Sequence, residues 1–313
     1  MPGRSHQPRP TLGYAMTLLG AVLFGFGGSV AKVAITEAGL SAERYTQIRV
    51  TGAFAVLAVG LALLAPARLK VRPREIPWLV AFGLIAVALV QWLYFIGIQR
   101  LPIGVTLVIQ FAGIVLVAVW ARIAWKQPVR RRVWLAAGLS LLGLALVAEV
   151  WTELELDGIG LAASFGAAGA IAMYFLMGEH GTRHRDPPSL VCLAMLVAAG
   201  FWAVVQPPWS YPFDTLAQSV SLTGRLDSVS VPVWALAATT VVAGTVLPFL
   251  LSVGALRHLP ASRVGVVATI EPVIASVVAW AWLGETLAAW QIVGGLVVLS
   301  GVVLAITARQ GVP

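Results

Sequence analysis

The chain is poor in charge and almost without cysteine. Only 11% of its 313 residues are Asp, Glu, Lys or Arg, against 59% apolar ones, whereas a soluble domain carries about 25% charged residues. That excludes a large soluble core and leaves an all-α integral membrane protein. The single cysteine, Cys192, rules out an internal disulfide or a thiolate metal cluster, and its apolar surroundings fit a small buried residue. Histidine is also scarce: His6, His180, His184 and His258 all fall in connections between apolar runs. Residues Glu179 to His184 place two His four apart but lack the His-Glu-x-x-His order of a zinc protease, so no metal site is expected. There is no nucleotide-binding loop, no Ser/His/Asp set on one membrane face and no paired acidic motif. Neither an enzyme nor a cofactor is expected, and the net charge of +8 is no argument for nucleic acid.

What the chain has in quantity is apolar runs. A membrane-spanning helix needs about 20 apolar residues, and ten runs qualify: 11–35, 45–66, 76–98, 102–124, 132–149, 158–178, 189–206, 232–256, 260–283 and 288–308. The first is too long for the apolar part of a signal peptide and reads as a retained helix. Charge sorts the connections into two sets. One carries Arg4, Arg9, Arg68, Lys70, Arg72, Arg74, Arg122, Lys126, Arg130, Arg131 and Arg132, then Arg183, Arg185, Arg257, Arg263 and Arg309. The alternate set carries only Arg44, Arg49, Arg100 and Arg225, with the acidic run Glu153, Glu155, Asp157. The positive-inside rule then puts both termini in the cytoplasm; the expected location is the inner (plasma) membrane. The only long connection, 207–232, faces outside, and its Trp209, Tyr211 and Phe213 read as an interfacial belt.

The sequence repeats itself. Ile98-Gln99-Arg100-Leu101-Pro102 corresponds to Leu256-Arg257-His258-Leu259-Pro260, and the same shift aligns Gly143 with Gly301 without a gap. The expected architecture is therefore ten transmembrane helices as two inverted five-helix repeats, residues 1–152 and 153–313. An odd number of spans per repeat inverts the second one, the arrangement of many secondary transporters, whose substrate site lies between the repeats near the midplane. Small residues recur four apart at Ala21, Gly25, Ser29 and at Gly160, Ser164, Ala168, Ala172, which allows close helix approach in corresponding spans.

A few polar residues interrupt the apolar runs. Glu271 lies about 16 Å into its span at 1.5 Å per residue, and a carboxylate at mid-span costs about 2.5–3.5 kcal/mol to insert. Pro272 behind it leaves the carbonyl of Ala268 without its helical donor, a flaw tolerated only where protein or a water-filled cavity satisfies it. Glu271 could line a cavity, pair with Lys32 or Arg49, carry a coupling proton, or serve as a structural acceptor. Lys32 and Arg49 could face the cavity or snorkel to headgroups. Gln110, and Gln91 with Trp92 and Tyr94, could meet substrate or make helix–helix contacts.

Several of these residues sit in motifs. Gly27 to Lys32, Ile48-Arg49-Val50, Tyr174, Thr245 to Phe249 with Pro248, Glu271-Pro272 and the turn Gly284-Glu285-Thr286 resemble EamA-type transporters of the drug/metabolite transporter superfamily, nearest the threonine/homoserine exporter subgroup. The resemblance covers nearly the whole chain. It implies export of amino acids, related metabolites or drugs. Together with the polar residues above, the candidate substrate contacts are Lys32, Arg49, Gln91, Tyr94, Gln110, Tyr174 and Glu271, with Pro248 and Pro272 as helix breaks. Where the family has Glu-x-x-x-Pro in its fourth helix, this chain has Gln110 and Ile114, so a titratable carboxyl is replaced by an amide. The expected function is alternating-access export of a small polar metabolite such as an amino acid across the lipid bilayer, with protons as a candidate coupling ion. The alternatives are a drug or other metabolite transporter, import included, or a non-transporting membrane enzyme or scaffold.

Overall fold

The computed structural model describes residues 8–151, 157–210 and 213–307. Among them ten helices form the body: α1 (Pro10–Thr36), α2 (Ala42–Leu64), α3 (Pro73–Ile98), α4 (Ile103–Ile123), α5 (Arg131–Val147), α6 (Gly158–His184), α7 (Pro187–Val205), α8 (Val233–Ala255), α9 (Ala261–Leu283) and α10 (Ala289–Thr307). Nine of these are long and apolar enough to cross a membrane. The remaining one, α5, has 17 residues, about 26 Å of helix, and begins at Arg131-Arg132, whose long stems can reach headgroups from inside the apolar layer. The helices start where the chain supplies caps: Ser41, Asp157 and Asp186 accept from the backbone N–H groups of Arg44, Gly160 and Ser189. Glu153 and Glu155 of the acidic run lie outside the described residues, as do Arg4, His6, Tyr211, Arg309 and the boundary between 152 and 153.

The repeat is visible in the packing. Gly13 at the start of α1 lies against His258 and Leu259, and Gly160 at the start of α6 lies against Arg100 and Leu101. Four residues on, Thr17 and Ser164 each donate to the carbonyl of that glycine, both at 2.8 Å. The α5–α10 pair carries the same signature. A Cβ on Gly143 would stand 2.6 Å from both Gly294 O and Val298 N, while one on Gly301 would stand 2.8 Å from Ala136 O and 3.1 Å from Ser140 N. Rising numbers on one helix meet falling numbers on the other, so α5 and α10 are antiparallel. The axis relating the repeats therefore lies across the helices, and the repeats are inverted. The small-residue stripes serve this packing: Ala21, Gly25 and Ser29 of α1 and Gly160, Ser164, Ala168 and Ala172 of α6 are all buried.

Several features depart from straight helices joined by plain loops. Both third helices contain π-helical turns, at Phe82–Leu89 in α3 and Val242–Val246 in α8. Pro248 follows the second of these as part of a continuing helix, so the expected break there is a π-bulge instead. Such a bulge accommodates the donor that proline lacks. Connection 207–232 holds a two-stranded antiparallel hairpin, β1 (Ser219–Ser221) and β2 (Ser230–Pro232), the one sheet among the described residues. The hairpin clasps the end of α9: Trp282 Nε1 donates to Leu222 O at 3.0 Å and Arg225 stacks 5.2 Å from the Trp280 ring. Trp209 and Phe213 of the same connection stand exposed.

Candidate functional site

The helices enclose a cavity of about 560 Å³. It runs from mid-helix to the ends of α1–α4 that lie opposite the arginine-rich loops, its mouth bordered by Lys32, Ile35, Ala42, Ile98 and Ile103. All seven polar residues singled out in the sequence line it: Lys32, Arg49, Gln91, Tyr94, Gln110, Tyr174 and Glu271. Aromatic rings, Phe24, Phe111, Tyr174, Phe175 and Phe249 among them, form part of the wall. Phe249 meets Phe24 edge-on at 5.3 Å and Tyr174 at 5.9 Å, and such T-shaped pairs hold rings in fixed relative orientation.

Glu271 owes its position to a true helix break. α9 consists of Ala261–Ala268, a turn at Thr269-Ile270, then Glu271–Val278 and a π-helical end. The turn is closed by three-residue bonds, Thr269 N to Val266 O at 3.2 Å and Ile270 N to Val267 O at 3.3 Å, with Thr269 Oγ1 donating to Val266 O at 2.6 Å. The Ala268 carbonyl freed by Pro272 thus sits at the break, and Ala268 lines the cavity. Glu271 opens the second half-helix, where unpaired N–H groups and the helix dipole favour negative charge. Discontinuous helices of this kind carry the binding sites of many secondary transporters.

Arg49 sits across from it. Tyr45, one turn earlier on the same face of α2, is fixed by a 3.0 Å hydrogen bond to Thr240 of α8, and Arg49 Nε is buried without a hydrogen-bond partner. Arg49 and Glu271 lie within Coulombic reach of each other, yet no ion pair joins them among the described residues, so space remains between opposite charges. Gln91 donates from Nε2 to Val87 O at 2.8 Å, inside the π-helical turn, and its Oε1 is left buried without a donor. Gln110 stands in the wall on α4.

Lys32 differs from the rest. It pairs with Glu285 at 2.5 Å, both side chains about half exposed, at the rim of the cavity. Glu271 therefore has Arg49 as its cationic neighbour, and the alternative of a Glu271–Lys32 pair is excluded in this conformation. The sequence reading passed over Tyr45, Thr46, Phe24 and Ser252, which also line the cavity. Tyr45 and Ser252 had a usable signal: each lies four residues from a residue already singled out, Arg49 and Pro248, and hence on the same helix face.

The described residues contain no group of three or more His, Cys, Asp and Glu placed to hold a metal ion. The His180 and His184 rings lie 4.7 Å apart, with His184 Nδ1 set 3.0 Å from the His180 carbonyl oxygen.

A broken helix opening with a lone acid, a buried arginine within Coulombic reach of it and a cavity lined from both inverted repeats define a membrane transporter. The chain matches the EamA-like transporter family over residues 11–148 and 158–307 and belongs to that family. It is similar to the threonine/homoserine exporter RhtA of Escherichia coli (strain K12), 26% identical with 99% of this chain and 97% of that one covered. The exporter of the same name from Salmonella typhimurium (strain SL1344) is also 26% identical, with 93% and 90% covered. A solved structure described only as the crystal structure of a protein shares the fold, with a TM-score of 0.73 at 14% identity over 93% of this chain and 96% of that one.

Proposed function

We propose that this protein is a secondary transporter that exports a small polar metabolite, an amino acid in particular, by alternating access across the inner membrane. Its repeats would be residues 1–152 and 153–313, and both termini would be cytoplasmic. The observation that carries the reading is that Arg49 and the lone Glu271 carboxyl line one cavity, within Coulombic reach of each other but not joined in an ion pair. A zwitterion fits that arrangement: its carboxylate accepts from Arg49 in a charge-assisted hydrogen bond, and its ammonium sits at Glu271. The polar side chains Gln91, Tyr94, Gln110 and Tyr174 would complete the substrate contacts. The names of the relatives add support for amino-acid export.

Protons are the candidate coupling ion, and Glu271 is the candidate carrier. The test is purified protein in liposomes, with exchange of amino acids at equal pH and accumulation driven by a pH gradient measured side by side. Glu271→Gln keeps the shape and most hydrogen bonding but cannot titrate. Exchange should survive and gradient-driven accumulation should vanish. Loss of both would make Glu271 an ammonium ligand alone, and normal accumulation would end the coupling assignment. Failure of every amino acid to exchange through the unaltered protein would overturn the substrate class.

A further inference from the structure

The inverted repeats allow one membrane face to be compared with the other, contact by contact. Gly13 and Gly160 occupy equivalent positions, as do Leu101 and Leu259. Continuing both registers along their helices matches Lys32 with Glu179, Glu285 with Gln127, and Ile103 with Ala261. One pair of contacts is kept on both faces: Lys32 Nζ meets Glu285 Oε1 at 2.5 Å, and Gln127 Nε2 meets Glu179 Oε1 at 3.4 Å. The other contact exists on one face only. At the basic face the N–H of Ala261, the first residue of α9, donates to Glu179 Oε2 at 2.7 Å, joining the end of α6 to the start of α9. At the opposite face, Lys32 and Ile103 border the cavity mouth.

We propose that Glu179 is the gating residue of the basic face, a carboxylate bolt whose bond to the Ala261 N–H closes the cavity there and whose release opens it. This rests on the alternating-access reading above. The chemistry suits the role. Pro260 gives α9 no side-chain cap, so its first N–H groups need an acceptor from elsewhere. Glu179 supplies it while also accepting from Arg183 Nη2 at 2.6 Å, and its side chain is only 7% exposed. The equivalent residue on the other face, Lys32, can only donate, and the Ile103 N–H is also a donor. That face has no matching bolt, so the empty protein rests with the basic face shut.

The test is the sidedness of labelling. A cysteine replacing Ser252, deep in the cavity wall, in a Cys192→Ala background, would be exposed to an impermeant maleimide from either face of oriented vesicles. With Glu179 intact, labelling is expected only from the face opposite the basic loops. Glu179→Ala should raise labelling from the basic face about tenfold. Glu179→Asp, one methylene shorter, should do likewise, whereas Glu179→Gln, whose amide oxygen still accepts from Ala261, should shift less. A merely structural role would lower the melting temperature without changing which face labels. If neither Asp nor Ala shifts the labelling, the gate is overturned while the cavity stands. If the cysteine stays unlabelled from both faces with Glu179 intact, the gate and the transport reading fall together.

Discussion

Lys32 and Arg49 look alike in the sequence, each a cation near one end of an apolar run, and their neighbours separate them. Lys32 spends its charge on Glu285 in a half-exposed pair, an interaction worth about 0–1 kcal/mol. Arg49 lines the cavity with no ion pair among the described residues, and a hydrogen bond from its guanidinium to a charged group is worth about 1.5–3 kcal/mol. Arg49→Met, which keeps much of the stem, is therefore expected to lower transport by about ten- to a hundredfold at unchanged membrane level, the loss of one such bond. Lys32→Met should lower it less than about threefold, in keeping with an exposed pair. Efflux measured on both variants with matched expression decides; equal losses would return Lys32 to the substrate site. At this scale the sequence was legible because a polar side chain in an apolar run must find a reason: Lys32, Arg49, Gln91, Tyr94, Gln110 and Glu271, noticed on that ground, line one cavity, as does Tyr174, which the family resemblance singled out. What it did not disclose was partners. The pairing of Lys32 with Glu285, 253 residues away, follows only from how the repeats fold together.

Among the elements, the apolar runs announced the helices well, and the runs 189–206 and 102–124 differ from α7 and α4 by one or two residues at their ends. The internal irregularities were legible only where proline marked them. Pro272 signalled the break in α9, but the π-helical turn at Phe82–Leu89 contains no proline and is set by packing that local sequence does not record. Close helix approach was likewise half legible. Gly113 and Gly169 are both glycines inside helices. A Cβ on Gly113 would lie 2.2 Å from Ala168 O, a backbone atom, whereas one on Gly169 would meet nothing within 4 Å. Gly113→Ala must push α4 off α6 and should cost about 1–3 kcal/mol, the usual range for overpacking. Gly169→Ala adds helix propensity of up to about 1 kcal/mol at no steric cost. Thermal unfolding in detergent should place the first below the unaltered protein and the second at or above it. A neutral Gly113→Ala would mean that α4 and α6 pack less tightly than described.

For the whole molecule, two independent lines bear on orientation. Charge separates the connections into a basic and a weakly charged set, and the fold places those sets on opposite faces, since the inverted repeats alternate strictly through ten helices. Residues at the weakly charged ends of α1–α4 line the cavity, so on the orientation proposed above from the positive-inside rule this would be an outward-open conformation with the Glu179 contact on the cytoplasmic side. On the proposed export reading, this state follows release of cargo outside, and the mouth would close before reloading. The orientation is testable without any substrate. Arg131 lies exposed in the basic set and Ser228 exposed in the hairpin connection. A cysteine replacing Ser228 should react with an impermeant thiol reagent added to intact cells. One replacing Arg131 should be protected until the membrane is permeabilised. Cys192 is fully buried and contributes no background. Reversed reactivity would invert the molecule in the membrane, make the cavity cytoplasm-facing and turn the proposed gate into an outer one. Reaction of both cysteines in intact cells would instead place Arg131 and Ser228 on one face, which ten alternating spans cannot do, because an odd number of spans lies between them. Protection of Arg131 and exposure of Ser228 together therefore test the direction of the chain and the α5 crossing at once, and α5, with 17 residues, is the span whose length alone argues least for it.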